Sequence, residues 1–381
     1  MPKFFAAIAA LLITAAGHAA STAAGRSVVY ASVGPELTQY DVNTENATLA
    51  KRSNVELPDN VQYAWPHPSG RFLYVAWSNG AGKDHHGVSA FRIDPSGALQ
   101  PLGSPVPLRA RPVHITVDIP GKHLLIAYNN PSGLSVHTLG GDGTIGAQVK
   151  QPAGLDFGIY AHQVRADPSG KTVALVTRGN GPTKGKPEDP GALKIFYYQD
   201  GALANRQSVA PNRGYGFQPR HLDFHPTSPW IFVSLERQNQ LQVYKKLSDG
   251  SLSDQPLFTK DSAIKPGARS GQAAGTVHVH PNGRIVYQAN RGGENSIAVY
   301  AIDSKTGEPT RIQNADTHGP EPRTFALDPS ARILVAGNQN APASLAVFRV
   351  RDDGKLDFVR KYDVETHGDK NLFWMGVVPL H

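Results

Sequence analysis

The sequence predicts an all-β protein, a seven-bladed β-propeller built from four-stranded blades. Three observations predict it: one turn motif recurs along the chain, each copy is followed by short apolar strands, and helical periodicity is scarce. The copies begin about every fifty residues, and a period near fifty with several short strands per repeat is typical of propellers. The 38 glycines and 30 prolines of the 381-residue chain fit the many turns that this fold needs.

The repeated motif is a turn of the type His/Asp-Pro-x-Gly-Arg/Lys that leads into an apolar run. Its six copies are HPSGRFLYVAW (67–77), DIPGKHLLIAY (118–128), DPSGKTVALVT (167–177), HPTSPWIFVSL (225–235), HPNGRIVYQAN (280–290) and DPSARILVAGN (328–338). A further strand with an aromatic or apolar pair follows each copy, as in VSAFRID (88–94). The fourth strand is predicted to start from a Gly or Asn turn, as in DGTIGAQV (142–149), DGSLSDQP (249–256) and NATLAKRS (46–53).

A seventh blade is predicted where the chain ends meet. SVVYASV (27–33) and LTQYDVN (37–43) resemble the later repeats but have no turn motif before them, so this blade lacks its innermost strand. The C-terminal LFWMGVVPL (372–380) can supply it. Pairing of the N-terminal strands with the C-terminal strand would close the ring and protect its sheet edges. We therefore expect one propeller domain over residues 26–381.

The N-terminus predicts export. Residues 1–20 combine Lys3, an apolar run and a small-residue pattern, which together indicate a cleaved signal peptide; an uncleaved membrane anchor is the alternative. The chain is therefore expected in the periplasm or secreted, with no membrane attachment after cleavage. Cysteine is absent, so disulfides cannot stabilise it. Basic residues exceed acidic ones by seven but form no Lys/Arg blocks, so no nucleic-acid partner is expected.

Two sets of positions are predicted to converge on one rim of the central channel, because the innermost strands start there and the loops between second and third strands return there. Five residues before each turn motif stand Gln62, Val113, His162, Arg220, Gly275 and Arg323. Eleven residues after its start stand Ser78, Asn129, Arg178, Glu236, Arg291 and Gln339. Long connections over 177–191 and 262–275 belong to the same rim, which suits a binding face. Bracing of a blade by an Arg220–Glu236 ion pair is the structural alternative.

Four segments of the chain resemble a known family. AHQVRADPSG (161–170), PRHLDFHP (219–226), VHVHPNGRIVYQANRGG (277–293) and GPEPRTFALDPSARILVAGNQ (319–339) are similar to the lactonase family of seven-bladed propellers. That family includes bacterial 6-phosphogluconolactonases and fungal carboxy-muconate lactonising enzymes. The resemblance implies that His162, Arg220, Glu236 and Arg323 form the catalytic set. Where the family commonly has Asp-Leu-Gly after the third blade's second strand, this chain has Thr-Arg-Gly at 177–179 and an insertion.

The predicted function is hydrolysis of a sugar lactone, a small-molecule substrate. Opening a lactone needs a water, a base and positive charge at the oxyanion, and either Glu236 or His162 can be the base. No cofactor and no metal is predicted, and the absence of Cys and of G-x-S-x-G disfavours a covalent acyl-enzyme. The predicted substrate-binding residues are His114, Asn129, Arg178, His221, Arg291 and Gln339.

The sequence leaves alternatives for the role of His221, for the substrate and for the function. Strand alternation turns His221, next to Arg220, toward a blade interface, so a structural role is the alternative to substrate binding. The predicted signal peptide favours an unphosphorylated aldonolactone such as glucono-1,5-lactone, with 6-phosphogluconolactone as the other candidate. A muconate-type cycloisomerase and a non-catalytic propeller that binds a ligand or protein on its rim are the alternative functions.

Overall fold

The described part of the chain forms seven four-stranded antiparallel sheets arranged as the blades of a propeller. The structure is a computed structural model, and it describes residues 26–263 and 271–380. The predicted all-β, seven-bladed fold is confirmed. The predicted signal peptide, residues 1–20, lies outside the described residues. Within the described ranges no α-helix is long and apolar enough to cross a membrane, and the helical element there is a 3₁₀ turn, Pro211–Gly214.

The strands follow one order in every blade, from the channel outward. Blade 7 combines β1 (Ser27–Val33), β2 (Glu36–Asn43) and β3 (Thr48–Glu56) from the start of the chain with an inner strand from its end. Blade 1 contains β4 (Val61–Pro66), β5 (Phe72–Ser78), β6 (His86–Ile93) and β7 (Leu99–Pro107). Blade 2 contains β8 (Pro112–Val117), β9 (His123–Asn129), β10 (Ser132–Leu139) and β11 (Ile145–Gln148). Blade 3 contains β12 (Ala161–Ala166), β13 (Thr172–Thr177), β14 (Ala192–Gln199) and β15 (Ala202–Val209).

The remaining blades repeat this arrangement. Blade 4 contains β16 (Pro219–Phe224), β17 (Trp230–Leu235), β18 (Gln240–Lys245) and β19 (Phe258–Asp261). Blade 5 contains β20 (Ala273–Val279), β21 (Ile285–Arg291), β22 (Ser296–Ile302) and β23 (Pro309–Asp316). Blade 6 contains β24 (Pro322–Leu327), β25 (Ile333–Asn338), β26 (Ser344–Val350) and β27 (Leu356–Asp363). The inner strand of blade 7 is β28 (Leu372–Pro379).

The predicted closure of the ring is confirmed. Strand β28 pairs antiparallel with β1, from Ser27 opposite Pro379 to Ser32 opposite Trp374. The hydroxyl of Ser32 also accepts a hydrogen bond from the Trp374 N–H at 3.1 Å. The two ends of the chain therefore share one sheet, and β28 supplies the inner strand that the N-terminal part of blade 7 lacks.

The hydrophobic core lies between neighbouring blades. One cluster, for example, joins Phe72 and Tyr74 of blade 1 to Ile115 and Leu124 of blade 2. Corresponding clusters fill the other blade interfaces among the described residues. The apolar second strands, such as β5 and β13, are buried over their whole length because both faces meet another blade. This packing fixes the inner strands around the channel.

The His-Pro copies of the turn at His67 and His225 join one blade to the next. His225 Nδ1 accepts the Ser228 N–H at 2.8 Å, so its Nε2 carries the proton and donates to the Gly283 carbonyl at 2.8 Å. Gly283 has φ +71, and a Cβ there would lie 2.6 Å from the His225 ring. His67 and Gly121 make the same contact between blades 1 and 2, at 2.9 Å. The His-Pro-x-Gly motif is therefore structural, since it sets both a left-handed turn and a close approach.

Replacing His225 with Ala is expected to lower the free energy of unfolding by about 1–3 kcal/mol, because it leaves the buried Gly283 carbonyl unpaired. Lactone hydrolysis should be unchanged, since the turn lies at the far end of the inner strand from the predicted rim. Urea denaturation and an activity assay test both points. His85→Ala, in an exposed loop, is the control and should shift stability by less than about 0.5 kcal/mol. Unchanged stability in the His225 variant would contradict this assignment.

The fourth strand of blade 4 differs from the prediction. The segment 249–256 was expected to form it, but the strand is β19, Phe258–Asp261. The Leu252 N–H instead donates to the Gln207 side chain of blade 3 at 2.8 Å, and Leu252 is buried in the interface between blades 3 and 4. Residues after the Asp249 turn thus contact both blades, since the Ser253 N–H donates to the Lys245 carbonyl at 2.8 Å, and the regular pairing with β18 starts only at Phe258.

Candidate active site

Each inner strand carries a β-bulge at the rim where the site was predicted. The pairing of inner and second strands shifts at the second residue of the inner strand in six blades and at the third and fourth residues of β20 in blade 5. The residues skipped are Gln62, Val113, His162, Arg220, Gly275 with Thr276, Arg323 and Phe373. A bulge leaves its residue unpaired and changes the direction of its side chain. The positions predicted by counting back from the turn motif are therefore the bulged ones.

The bulge overturns the expected orientation of His221. Simple alternation after Arg220 would turn His221 toward a blade interface, but the extra residue shifts the alternation. The His221 ring instead lies 5.8 Å from the ring of His114 and 5.3 Å from that of His162, measured between ring centroids. These histidines belong to blades 2, 3 and 4, so they meet in the channel. His114 and His221 are buried, with Tyr63 stacked on His114 at 4.0 Å.

Four arginines and one carboxylate form the charged part of the site. Glu236 accepts hydrogen bonds from Arg178 Nη1 at 2.7 Å and from Arg291 Nη2 at 2.6 Å. Arg220 Nε lies 3.6 Å from Oε1 of the same carboxylate. The Glu236 cluster thus spans blades 3, 4 and 5 and brings together residues that the two sets of positions supplied separately. Arg323, from blade 6, lies within electrostatic range of Glu236 and Arg291.

The cluster keeps Glu236 ionised. Burial alone would raise the pKa of this carboxyl, but Arg220, Arg178 and Arg291 outweigh it and hold the pKa well below its usual range. A carboxylate of such low basicity is a poor general base near neutral pH. Its contacts indicate that it orients the arginines.

Unlike Glu236, His162 is uncharged. Burial, reinforced by the charge of Arg220, lowers the pKa of His162 well below its ordinary value, so the imidazole is neutral at pH 7. Its Nδ1 has no hydrogen-bond partner among the described residues. The charges of Arg220 and Glu236 both affect the pKa of His162, and its ring contacts that of His221, the residue after Arg220. A neutral imidazole with a free nitrogen can accept a proton.

Arg220 and Arg323 can hold an anion. Arg220 is 2% exposed, and its Nε and Nη1 find no hydrogen-bond acceptor in the part of the chain that the structure describes. Burial and the neighbouring Arg291 lower the pKa of Arg323 to about 10, which leaves it charged at neutral pH. Buried guanidinium donors without an acceptor are costly unless a ligand oxygen binds them.

Sequence reasoning missed three residues at this rim. Phe373, the bulged residue of β28, stacks on the Arg323 guanidinium at 4.0 Å, and Tyr160 stacks on that of Arg178 at 4.3 Å. Arg111 donates to the Gln62 side chain at 2.7 Å and acts electrostatically on Arg323. β28 has no turn motif from which to count, and Arg111 precedes its bulge by two positions. Arg111 could have been located from the proline that follows it, because R-P-V aligns with the Q-P-R segment that contains Arg220 and the E-P-R segment that contains Arg323.

Asn129 lies beside the cluster, whereas the contacts of Gln339 are with the backbone of blades 6 and 7. Asn129 lines a polar pocket of about 400 Å³ together with Ser132, Asn180, Lys186 and Tyr160. Because Tyr160 also stacks on Arg178, this pocket adjoins the Glu236 cluster. Gln339 makes backbone contacts, donating to the Glu321 carbonyl at 2.9 Å. Across the described ranges no group of three or more His, Asp or Glu has a metal-binding arrangement.

Comparison with known proteins assigns this fold and site to a family. A family model described as lactonase, 7-bladed beta-propeller, matches residues 27–369. The chain belongs to the lactonase family. Curated relatives that it matches are named 6-phosphogluconolactonases, which are lactone-hydrolysing enzymes, so the predicted enzyme class is supported. The 6-phosphogluconolactonase of Bacillus subtilis is 27% identical over 324 residues, which cover 83% of this lactonase-family chain and 88% of the relative.

Further relatives agree with this assignment. The 6-phosphogluconolactonase of Serratia proteamaculans is 25% identical over 358 residues, covering 93% of this chain and 99% of the relative. Among solved structures, the periplasmic gluconolactonase of Pseudomonas aeruginosa superposes with a TM-score of 0.70 at 21% identity. That superposition covers 93% of this chain and 100% of the other, and at this identity it demonstrates the shared fold.

Proposed function

We propose that this lactonase-family protein hydrolyses a sugar lactone and prefers an unphosphorylated aldonolactone such as glucono-1,5-lactone. The observation that carries the proposal is the Glu236 cluster, with buried guanidinium donors of Arg220 next to the neutral imidazole of His162. This combination supplies the positive charge and the base that lactone opening needs.

The reaction can be written through these groups. Water attacks the lactone carbonyl carbon while His162 takes its proton, and the oxyanion that forms is stabilised by Arg220 and Arg323. Collapse of the tetrahedral intermediate breaks the bond to the ring oxygen, and His162 returns the proton to that oxygen. The product hydroxy acid then ionises, so each turnover releases one proton. Glu236 stays ionised and holds the arginines in place.

The polar pocket beside the cluster supports an uncharged substrate tail. Asn129, Asn180 and Ser132 offer amide and hydroxyl groups that suit sugar hydroxyls. Lys186 is the cation among the residues lining this pocket, and Asp189 pairs with it at 3.0 Å. A phosphate placed here would meet a cation that is already neutralised.

Export supports the same preference. The sequence predicts a signal peptide over residues 1–20, and the Pseudomonas aeruginosa relative is named a periplasmic gluconolactonase. Phosphorylated sugars are mainly cytoplasmic, so an exported enzyme would meet unphosphorylated lactones. We propose that the mature protein acts in the periplasm or outside the cell.

Acid release tests the proposal. The purified full chain is titrated at constant pH with glucono-1,5-lactone and with 6-phosphogluconolactone, and the spontaneous hydrolysis rate is subtracted. We expect a higher kcat/KM for the unphosphorylated lactone than for the phosphorylated one. In Arg220→Ala we expect kcat/KM to fall about a hundredfold or more. Acid release no faster than the spontaneous rate with both lactones would favour the non-catalytic, ligand-binding alternative. A wild-type rate in the Arg220 variant would overturn the assigned site.

Replacing Asp189 with Asn is expected to raise the kcat/KM ratio of the phosphorylated to the unphosphorylated lactone about two- to fivefold at low salt. The change frees the charge of Lys186, and the amide can keep the hydrogen bond with Asn180, now 2.8 Å long. Parallel assays with both lactones measure the ratio. Asp254→Asn, on the exposed surface elsewhere, is the matched control and should leave it unchanged. An unchanged ratio in the Asp189 variant would mean that the pocket does not receive the substrate tail.

A further inference from the structure

A second cavity opens at the opposite end of the channel from the Glu236 cluster. It has a volume of about 500 Å³, within the range of small-molecule sites, and the ends of the inner strands near the turn motifs form its wall. The lactonase reaction proposed above does not use it. We call it the lower cavity.

The inner strands explain the shape of the lower cavity. Alternate residues of a strand face the same side, so the residues two positions beyond the layer that contains Tyr63, His114 and His221 form a second ring. In blade order from blade 1 this lower ring consists of Trp65, Thr116, Arg165, Asp223, His278, Ala326 and Gly376. Small side chains at Ala326 and Gly376 leave the space that the cavity occupies.

The polar groups of the lower ring lie on one side. Arg165 Nη2 donates to Asp223 Oδ1 at 3.0 Å, and His278 Nδ1 lies 3.6 Å from Asp223 Oδ2. These residues come from three consecutive blades. Arg165 and His278 line the cavity, and Asp223, which does not, also accepts the Val279 N–H at 2.9 Å. Arg165 Nη1 also donates to the Leu222 carbonyl at 3.5 Å, and since a guanidinium has five N–H donors, Arg165 keeps donors for a ligand after both contacts.

The other side of the lower cavity is apolar. Trp65, Phe325, Met375, Val377 and Trp374 contribute to its wall. The guanidinium of Arg165 lies over the Trp65 ring at 5.1 Å, which fixes its plane next to this apolar surface.

The threonines that line the cavity are already engaged by the backbone. Thr276 Oγ1 donates to the Arg323 carbonyl at 3.0 Å, Thr324 Oγ1 accepts the Met375 N–H at 3.1 Å, and Thr116 Oγ1 donates to the Val117 carbonyl at 3.4 Å. A sugar would leave several of its hydroxyl groups unpaired against these walls, which is unfavourable. A ligand with one anionic group and an apolar body fits a cavity with charged groups on one side and an apolar wall on the other.

We propose that the lower cavity binds a ring-bearing monocarboxylate, with its carboxylate at Arg165 and His278 and its ring between Trp65 and Ala326. Paired guanidinium donors match the two oxygens of a carboxylate, and the apolar wall buries the ring. This is a ligand site distinct from the Glu236 cluster, and it binds a different chemical class from a sugar lactone.

Calorimetric titration of the full chain with 2-naphthoate tests the proposal. We expect 2-naphthoate to bind at least tenfold more tightly than 2-naphthol, which has the same rings without the carboxylate. Arg165→Lys should weaken naphthoate binding about tenfold, because lysine keeps the charge but loses the paired donors. Ala326→Leu should abolish binding by filling the cavity, with lactone hydrolysis unchanged. Thr116→Val, which keeps the volume, is the matched control and should bind as the wild type does.

Naphthoate could also bind at the arginines of the opposite rim, and a soaked crystal of the unsubstituted protein separates the two sites without any variant. Density for the ring between Trp65 and Ala326 supports the proposal. Density confined to the neighbourhood of Arg220, or naphthoate binding that is undiminished in folded Ala326→Leu protein, would overturn it. Absence of binding at about 5 mM naphthoate would overturn it as well.

Discussion

Glu236→Gln is expected to lower kcat/KM for lactone hydrolysis by roughly a hundredfold or more and the free energy of unfolding by about 3–5 kcal/mol. The carboxylate bonds Arg178 and Arg291 directly and lies 3.6 Å from Arg220. A glutamine cannot balance their charges, so buried guanidinium groups would repel one another and lose their orientation. Acid-release kinetics and urea denaturation measure the two effects.

The control for this prediction is Glu308→Gln. Glu308 pairs with Lys260 at 2.6 Å, but both side chains are at least one-third exposed, so its loss should cost less than about 1 kcal/mol. If Glu236→Gln were as stable as the wild type and only activity fell, the bracing of blades by this carboxylate would be refuted. If stability fell and the folded variant kept its full rate, Glu236 would be purely structural.

The stability effect also has a defined pH dependence. The folded-state pKa of Glu236 is depressed by the three arginines, so its contribution to stability is present above the unfolded pKa of about 4.3. That contribution is lost as pH falls toward the lower folded-state pKa. The difference in unfolding free energy between wild type and Glu236→Gln should therefore be constant near neutral pH and shrink below about pH 4.

The ring and its closure could be predicted from sequence because both depend on local patterns. The turn motif repeats at a near-constant step, and the strands after it alternate or are wholly apolar, as buried strands require. Blade 7 was predicted because 27–43 lacks an inner strand and 372–380 is an unassigned apolar run. The same counting located His162, Arg220 and Arg323 at corresponding positions, and Glu236 eleven residues after His225.

The geometry of the site depends on features that no local pattern contains. The bulges insert one extra residue at the rim, so the orientation of His221 could not be deduced from alternation. The partners of Glu236 could not be deduced either, because Arg178 and Arg291 occupy the same repeat position in the two neighbouring blades and Arg220 lies in the inner strand of its own blade, so the repeat favours none of them. Sequence reasoning left Glu236 and His162 as equal candidates for the base. Only the burial and the surrounding charges distinguish them.

His162 is the proposed proton acceptor. His162→Gln is expected to lower kcat by about a hundredfold to ten-thousandfold, the usual contribution of a positioned proton acceptor. In the wild type, kcat/KM should be level near neutral pH and fall as pH drops through the depressed pKa of His162, below about 6.5, because protonation removes the base. Rates measured from pH 4 to 8 test this, with spontaneous hydrolysis subtracted.

The shape of the pH profile decides between the two candidates. Since the His162 imidazole is the titrating group, the residual activity of His162→Gln should lose the acid limb, whereas His85→Gln, in an exposed loop, should keep both the rate and the limb. If Glu236 were the base, the acid limb would survive in His162→Gln. It would also lie at a much lower pH, because the arginines depress the pKa of Glu236. A surviving limb would therefore reassign proton transfer to Glu236 and leave His162 as a substrate-positioning residue.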